Sequence, residues 1–234
     1  MIPIHTDSAW QGTADCRNCG IRDTVLFADL TEQDFNQIHT PIDDLAFASD
    51  AVLYTEGAPA VGVFSLRKGM VKLLRSTADG RERIVRVLRP GDVLGLEALA
   101  TAHYDTEAVA MTEVHACRIP LSVLHHLSAN SPRLHMRLMQ KWQQALRDAD
   151  DWLAELNFGS ARQRVARLAL KMRDHDQTKM TSLFARDDMG AMLDLKLETV
   201  SREISALVRD GLIKPLDKSG RRYEILQEQR LLAV

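Results

Sequence analysis

Between Val52 and Cys117 the apolar residues come in short runs broken by polar, glycine-bearing steps. The runs are Val52-Leu53-Tyr54, Val61-Gly62-Val63-Phe64-Ser65-Leu66, Val71-Lys72-Leu73-Leu74, Ile84-Val85-Arg86-Val87-Leu88 and Val114-His115-Ala116-Cys117. Runs of this length, rich in β-branched residues and bounded by turn formers, predict strands. Gly57, Gly69, Gly80 and Gly91 fall at intervals of 12, 11 and 11 residues, the turn spacing of an all-β barrel or sandwich. Asp79-Gly80 is a hairpin signal, because a two-residue turn needs positive φ at its centre. The front of the chain is therefore expected to be a compact antiparallel β-roll.

After Ser131-Pro132 the period lengthens. Leu138 or Met139, Trp142, Leu146, Ala149, Leu153 and Leu156 recur at steps of three and four, with no Pro or Gly before Gly159. That pattern predicts one helix of about seven turns. Basic Arg137, Lys141 and Arg147 and acidic Asp148, Asp150 and Asp151 flank the stripe, as on a coiled-coil seam. The stripe could pack on its own barrel, but a helix this long between two small domains has apolar length to spare for a second copy. A homodimer is expected, with Met139, Trp142, Leu146, Ala149, Leu153 and Leu156 at the interface.

Beyond Gly159, residues 162–173 read as a helix with Val165, Leu168, Ala169 and Met172 on one face. A short helix follows over 186–193 and stops at Asp194-Leu195-Lys196, and a second runs from Leu197 to Val208, ended by Asp210-Gly211. Leu212-Ile213-Lys214-Pro215-Leu216 and Arg222-Tyr223-Glu224-Ile225-Leu226 flank a turn at Lys218-Ser219-Gly220. Helix, tight turn, helix, hairpin is the order of a winged helix-turn-helix. On a 3.6-residue repeat Leu197, Val200, Ile204, Leu207 and Val208 share a face and are expected to be buried. Glu198, Ser201, Arg202, Ser205 and Arg209 are thereby turned outward. Glu198, Ser201 and Arg202 stand near the N-terminal end, where a recognition helix meets base edges. Arg can donate to guanine O6 and N7, Glu can accept from cytosine N4, and Ser can serve several bases. Arg221 and Arg222 on the wing are candidates for phosphate.

Charge supports this division. The net charge is -2 overall, but residues 1–159 carry 15 Lys+Arg against 21 Asp+Glu, whereas residues 160–234 carry 15 against 11. Positive excess confined to the tail is the asymmetry expected if that part alone meets phosphates. No run of eighteen apolar residues and no signal pattern at MIPIHTDSAW is present, so the expectation is a cytoplasmic protein without membrane contact. Three cysteines, an odd number, fit a reducing compartment rather than a disulfide framework. No nucleophile elbow, phosphate loop or H-E-x-x-H occurs, which argues against an enzyme. The alternative to a DNA-binding regulator is a ligand-binding regulatory module that controls a protein partner.

Leu197-Glu198-Thr199-Val200-Ser201-Arg202 with Gly211-Leu212-Ile213 after it resembles the recognition helix of the CRP/FNR family, in its FNR-like branch. Pro90-Gly91-Asp92, followed by Gly95, resembles the turn region of that family's cyclic-nucleotide-binding-type β-roll, and the long helix lies where the family dimerises. The resemblance covers essentially the whole chain. It implies an α+β protein with a cysteine-bearing segment (1–27), a β-roll sensor (28–130), a dimerisation helix (131–158) and a winged helix-turn-helix (159–234). It further implies a guanine read by Arg202, a neighbouring thymine by Ser201 and the adjoining pairs by Glu198, in TTGAT-like half-sites of an inverted repeat. RNA polymerase is an implied partner. Lys196, just before the recognition helix, departs from the usual capping residues.

The resemblance leaves the signal open. Cyclic-nucleotide-binding relatives hold ribose and phosphate with a Glu after the second glycine and a later Arg-Ser pair. Leu96 and Thr106-Glu107 stand there instead, so cyclic AMP is not expected: leucine cannot bind a ribose hydroxyl, and a carboxylate repels phosphate. Glu97, one position on, is expected to face the other way if the segment is a strand. In the FNR-like branch three N-terminal cysteines and one from the β-roll hold an iron-sulfur cluster. Cys16-Arg17-Asn18-Cys19 and Cys117 match three of these ligands, and Val25 occupies the place of the fourth. Asp15, Asp23 or His103 could complete a site. Thiol redox chemistry, and Cys117 as a small buried hydrophobe, stand beside the cluster as readings of the same residues.

Overall fold

The computed structural model describes residues 9–14, 26–27, 31, 34, 38, 40–76, 82–173 and 179–234. Cys16 and Cys19 lie outside the described residues, as do Asp15, Asp23, Val25 and the Asp79-Gly80 turn. The chain forms two compact units, Met1–Arg147 and Asp148–Val234, whose boundary falls inside the long helix.

The first unit is built on two antiparallel sheets. One has the order β1 (Ala9–Thr13), β2 (Asp43–Phe47), β9 (Val114–Pro120), β4 (Gly62–Lys68), β7 (Val93–Leu94). The other has the order β3 (Val52–Tyr54), β8 (Glu107–Ala110), β5 (Val71–Ser76), β6 (Glu82–Leu88). The five runs expected as strands are strands. The sheet also contains β1 and β2, which the hydrophobic pattern did not announce, and β1 brings residues 9–13 of the cysteine-bearing segment onto its edge. The pairing of β1 with β2 is a backbone ladder, Gly12 opposite Asp44, and a ladder needs no apolar alternation to form. β5 and β6 pair out to Ser76 and Glu82, which flank the expected turn.

Strand alternation explains how the five-stranded sheet is covered on both faces. On β4, Phe64 and Leu66 point into the space between the sheets with Phe47, Leu73, Leu88 and Val114. Val63 on the same strand and Ile119 on β9 point the other way, into a second apolar cluster. That cluster holds Leu26, Phe27, Val123, Leu124 and Leu127, the last three from the helix α2 (Leu121–Asn130), together with Leu134 and Leu138. A sheet buried on both faces reads as a nearly continuous apolar run, and Val61 to Leu66 is one.

Leu134 and Leu138 are in the first two turns of the long helix α3 (Pro132–Leu156). Pro132 opens it where a missing N–H costs nothing, and the Ser131 hydroxyl accepts from the Leu134 N–H at 3.5 Å. The start of α3 therefore packs on its own barrel. Trp142 still packs against the same cluster, and Lys141 donates to the Gly91 carbonyl at 2.5 Å. Met136, Met139, Leu146 and Leu153, by contrast, are 58, 41, 63 and 62% exposed. Leu156 is 2% exposed and so is already covered within the chain, while Trp142 and Ala149 are half-buried.

In the second unit α4 (Ala161–Lys171) is started by a reciprocal capping box between Ser160 and Gln163. The helices α5 (Arg186–Leu193) and α6 (Leu197–Arg209) follow, joined by a tight turn in which Asp194 takes a left-handed conformation (φ 53°). The hairpin β11 (Ile213–Pro215) and β12 (Arg222–Ile225) is joined by β10 (Met180–Ser182), a third strand absent from the sequence expectation. Its Thr181 is buried and donates its hydroxyl to the Ala169 carbonyl at 2.7 Å, tying the sheet to α4.

Candidate nucleic-acid interface

The turn between α5 and α6 is held by close backbone approach. Leu195 N–H donates to the Gly190 carbonyl at 3.0 Å, and a Cβ on Gly190 would lie 2.6 Å from the Leu195 carbonyl oxygen. Alanine at this position would open the crossing between the two helices. Arg164 on α4 donates to the Leu193 carbonyl at 2.6 Å, at the end of α5 where helix carbonyls lack partners. Arg162 on α4 bonds Asp210, at the C-terminal end of α6, at 2.7 Å. That hydrogen bond, with the positive charge of Arg162 and Arg209, holds the Asp210 carboxyl below the usual carboxylate range despite some desolvation.

With α6 held at its C-terminal end and the end of α5 held beside it, Val200, Ile204, Ala206 and Leu207 are buried. Glu198, Arg202, Ser205 and Arg209 are exposed along the opposite face, and Ser201 is half-buried among them. The Arg202 side chain is 68% exposed and its ion pair is with the adjacent Glu203 at 3.5 Å. Ser205 donates its hydroxyl to the Ser201 carbonyl at 2.9 Å, so its lone pairs make it an acceptor toward any ligand. Lys196 begins the helix without a side-chain cap, and acidic Glu198 in the first turn offsets the helix dipole there. On the wing, Arg221 and Arg222 are exposed, with Lys214 and Lys218 nearby in sequence.

Leu197 is a correction. The repeat places it in the buried stripe, yet it is 47% exposed. It is the first residue of α6, where one turn of the stripe projects past the helix that would cover it. An apolar side chain at this end of such a helix can meet a thymine methyl, which polar-residue reasoning overlooks. Val208, at the other end of the stripe, is only half-buried for the same reason.

In the β-roll, Leu96 is buried and Glu107 lies on β8. Burial raises the Glu107 carboxyl above its usual range, and the nearby charges of Glu82 and Glu56 add to the effect. Three carboxylates thus lie near one another on this side of the β-roll, with Arg75 3.8 Å from Glu56. The strand argument about Glu97 does not hold, because residues 95–97 form a turn leading into the short helix α1 (Ala98–Thr101). Glu97 is half-buried, and the resulting desolvation raises its carboxyl; it accepts from the Asp105 N–H at 3.4 Å. Beside it Tyr54 and Tyr104 stack with ring centroids 3.9 Å apart. Gly95, at φ +74°, lets that stack form, since a Cβ there would lie 2.9 Å from the Tyr104 ring.

Cys117 is half-buried on β9, opposite Asp44 of β2 and Ser65 of β4. Asp44 is ion-paired to Arg67. Because β1 pairs with β2, Gly12, Asp44 and Cys117 form one row across the sheet, two strand spacings in all, or roughly 10 Å. Among the described residues no group of three or more His, Cys, Asp or Glu side chains is placed to hold a metal. His103 bonds the Thr101 carbonyl. With three cysteines in the chain, the residues present do not make a four-thiolate cluster site. Among the described residues no helix is long and apolar enough to cross a membrane.

The family model described as the cyclic nucleotide-binding domain matches residues 45–131, and that of the Crp-like helix-turn-helix domain matches residues 163–234. The chain is 26% identical to the transcriptional activator protein anr of Pseudomonas aeruginosa, over 94% of this chain and 92% of that one. It is 27% identical to the transcriptional activator protein FnrL of Cereibacter sphaeroides, over 91% and 88%. The solved structure of FixK2 from Bradyrhizobium japonicum superposes with a TM-score of 0.73 at 28% identity, covering 81% of this chain and 95% of that one. The alternative of a module controlling a protein partner gains no support from these likenesses.

Proposed function

We propose that this chain, which belongs to the CRP/FNR family of DNA-binding transcription regulators, acts as a cytoplasmic homodimer on an inverted repeat of TTGAT-like half-sites. Members of the family regulate transcription and are not enzymes. The observation that carries the reading is the outward face of α6, with Glu198, Ser201 and Arg202 at its N-terminal end, on a helix-turn-helix tied to α4 through Leu193 at the end of α5 and Asp210 at the end of α6. Arg202 reads the guanine, Ser201 and Leu197 face a thymine, and Ser205, Arg209, Arg221 and Arg222 meet the phosphates. RNA polymerase is the partner that converts binding into transcription. Selection from randomised duplexes should recover a two-fold symmetric site with half-site centres one helical turn, about 34–36 Å, apart. Recovery of single, unpaired half-sites would overturn the symmetric reading.

The signal we assign to this protein is oxygen or redox state, read by the thiols of Cys16, Cys19 and Cys117. The support is the cysteine pattern together with curated relatives named as anaerobic regulatory proteins. The route to the dimer helix is physical. Leu26 and Phe27, which follow the cysteine pair in sequence, are buried in the same cluster as Leu134 and Leu138. Asp34, which accepts from Thr31, lies 3.5 Å from Arg133 at the start of α3. A change in thiol state that draws on this segment would act on the first turns of α3. Replacing all three cysteines by serine should abolish the difference in operator affinity between anaerobic and aerated protein, about 5- to 150-fold for typical coupling. If the variant keeps the parent's response, the signal enters elsewhere.

A further inference from the structure

The wing of the second unit is a short excursion between β11 and β12, and its turn is stitched internally. The Asp217 carboxylate accepts from the Ser219 hydroxyl at 2.9 Å and from the Arg221 N–H at 3.2 Å. Gly220 completes the turn at φ +64°. At its root the Leu183 N–H donates to the Arg221 carbonyl at 2.7 Å. None of these bonds reaches the helix-turn-helix. Among the described residues, a contact that does so is made by Arg186, the first residue of α5. Its Nη2 donates to the Gly220 carbonyl at 2.9 Å and to the Tyr223 hydroxyl at 2.7 Å. The guanidinium also lies 5.9 Å from the centroid of the Tyr223 ring, and its Nη1 approaches the Met189 sulfur at 3.6 Å.

We propose that Arg186 is a positioning residue for DNA binding, a clamp that fixes the wing turn to the first helix of the helix-turn-helix so that Arg221 and Arg222 are presented to the phosphate backbone. The proposal rests on the reading of the wing as a phosphate-binding element. The physical case is that a hairpin of three- and four-residue strands cannot hold its own tip in place. A phosphate contact contributes only if its cation is already near the anion, because the ordering cost otherwise offsets the gain. A planar guanidinium can satisfy two acceptors at once in fixed geometry, which a lysine ammonium on a flexible stem cannot match. Arg186 sits on α5, so whatever places α5 on the duplex places the wing as well.

Four variants of the full-length protein test this, each titrated with specific and random duplex over a range of salt. Arg186→Met keeps the aliphatic stem and removes the donors. It should lower affinity for any duplex by about 5-fold at 0.15 M salt and reduce the salt slope by about one, the effect of leaving one phosphate unneutralised. The ratio of specific to random binding should stay at the parent value with only a modest fall in the thermal midpoint, whereas damage to the helix-turn-helix would lower the ratio as well. Tyr223→Phe removes one of the two acceptors and should shift the slope in the same direction by less. Arg186→Lys should recover part of the loss. If Arg186→Met changes the slope while Tyr223→Phe leaves it at the parent value, Arg186 meets a phosphate itself and the clamp is overturned. The double variant Arg221→Ala, Arg222→Ala separates the two levels. An unaltered slope there overturns the wing reading and the clamp with it, whereas a reduced slope with Arg186→Met at parent values overturns the clamp alone.

Discussion

Leu153→Glu is expected to convert the protein to a monomer and to weaken binding to its symmetric operator by about 10²- to 10⁴-fold, the range at stake when two linked binding events become independent. The reason lies in what α3 leaves uncovered. Met139, Leu146 and Leu153 are seven residues apart and lie between 41 and 63% exposed, a line along one helix face. Burying each contributes about 1.5–3 kcal/mol, well above the 0–1 kcal/mol of the surface ion pairs that flank it. In a two-fold seam the same surface meets its own copy, so one substitution introduces two like charges into the interface. Leu153 is largely exposed within the protomer, so the fold of each copy should survive. Sedimentation velocity and operator titration check both halves, and a variant that remains dimeric and competent for DNA would place the interface elsewhere.

Arg202→Ala should cost about 1–3 kcal/mol of operator binding, or about 5- to 150-fold, and should relax discrimination at one guanine in each half-site. Arg202 is itself 68% exposed and its 3.5 Å ion pair is with a partly covered Glu203, so the thermal midpoint should fall only slightly. The readout is a set of operators with each base of the half-site replaced in turn. Removal of a guanine-specific hydrogen bond shows as a flattened preference at one position. An equal drop in affinity on every duplex would make Arg202 a phosphate ligand and remove the basis for its assigned role.

Both predictions begin from patterns visible in the chain itself. The stripe from Met139 to Leu153 and the outward set from Glu198 to Arg209 follow from a 3.6-residue repeat, and the helix boundaries follow from Pro132, Gly159, Asp194 and Gly211. Where the pattern fails, the failures have local causes. Leu197 obeys the repeat but sits at a helix end, past the element that covers its neighbours. β1 and β10 are held by backbone ladders and short side-chain contacts such as Thr181 to Ala169, which leave little trace in hydrophobic order, and β2 offers only Leu45 and Phe47, too short an alternation to stand out. Strand geometry misplaces Glu97, because a glycine-bearing turn and a single helical turn occupy that stretch, and four-residue helices carry no legible period.

Arg186 shows the limit of sequence reasoning about the site. Nothing in its neighbourhood along the chain links it to Gly220 or Tyr223, 34 and 37 residues away, and its first-turn position next to two aspartates reads as an ordinary solvated helix start. Leu156 shows the same limit from the other side. By spacing it belongs to the exposed seam, yet its own chain covers it.

By itself, then, the order of residues determined the class of each long element, the face each helix turns outward and the chemistry carried on that face. Which surface covers a given face was decided only by the tertiary structure: Leu134 and Leu138 on the barrel, Leu153 left open, Arg186 on the wing. The physical reason is that periodicity is a property of one element, whereas burial and hydrogen-bond partnership depend on what the rest of the chain brings against it.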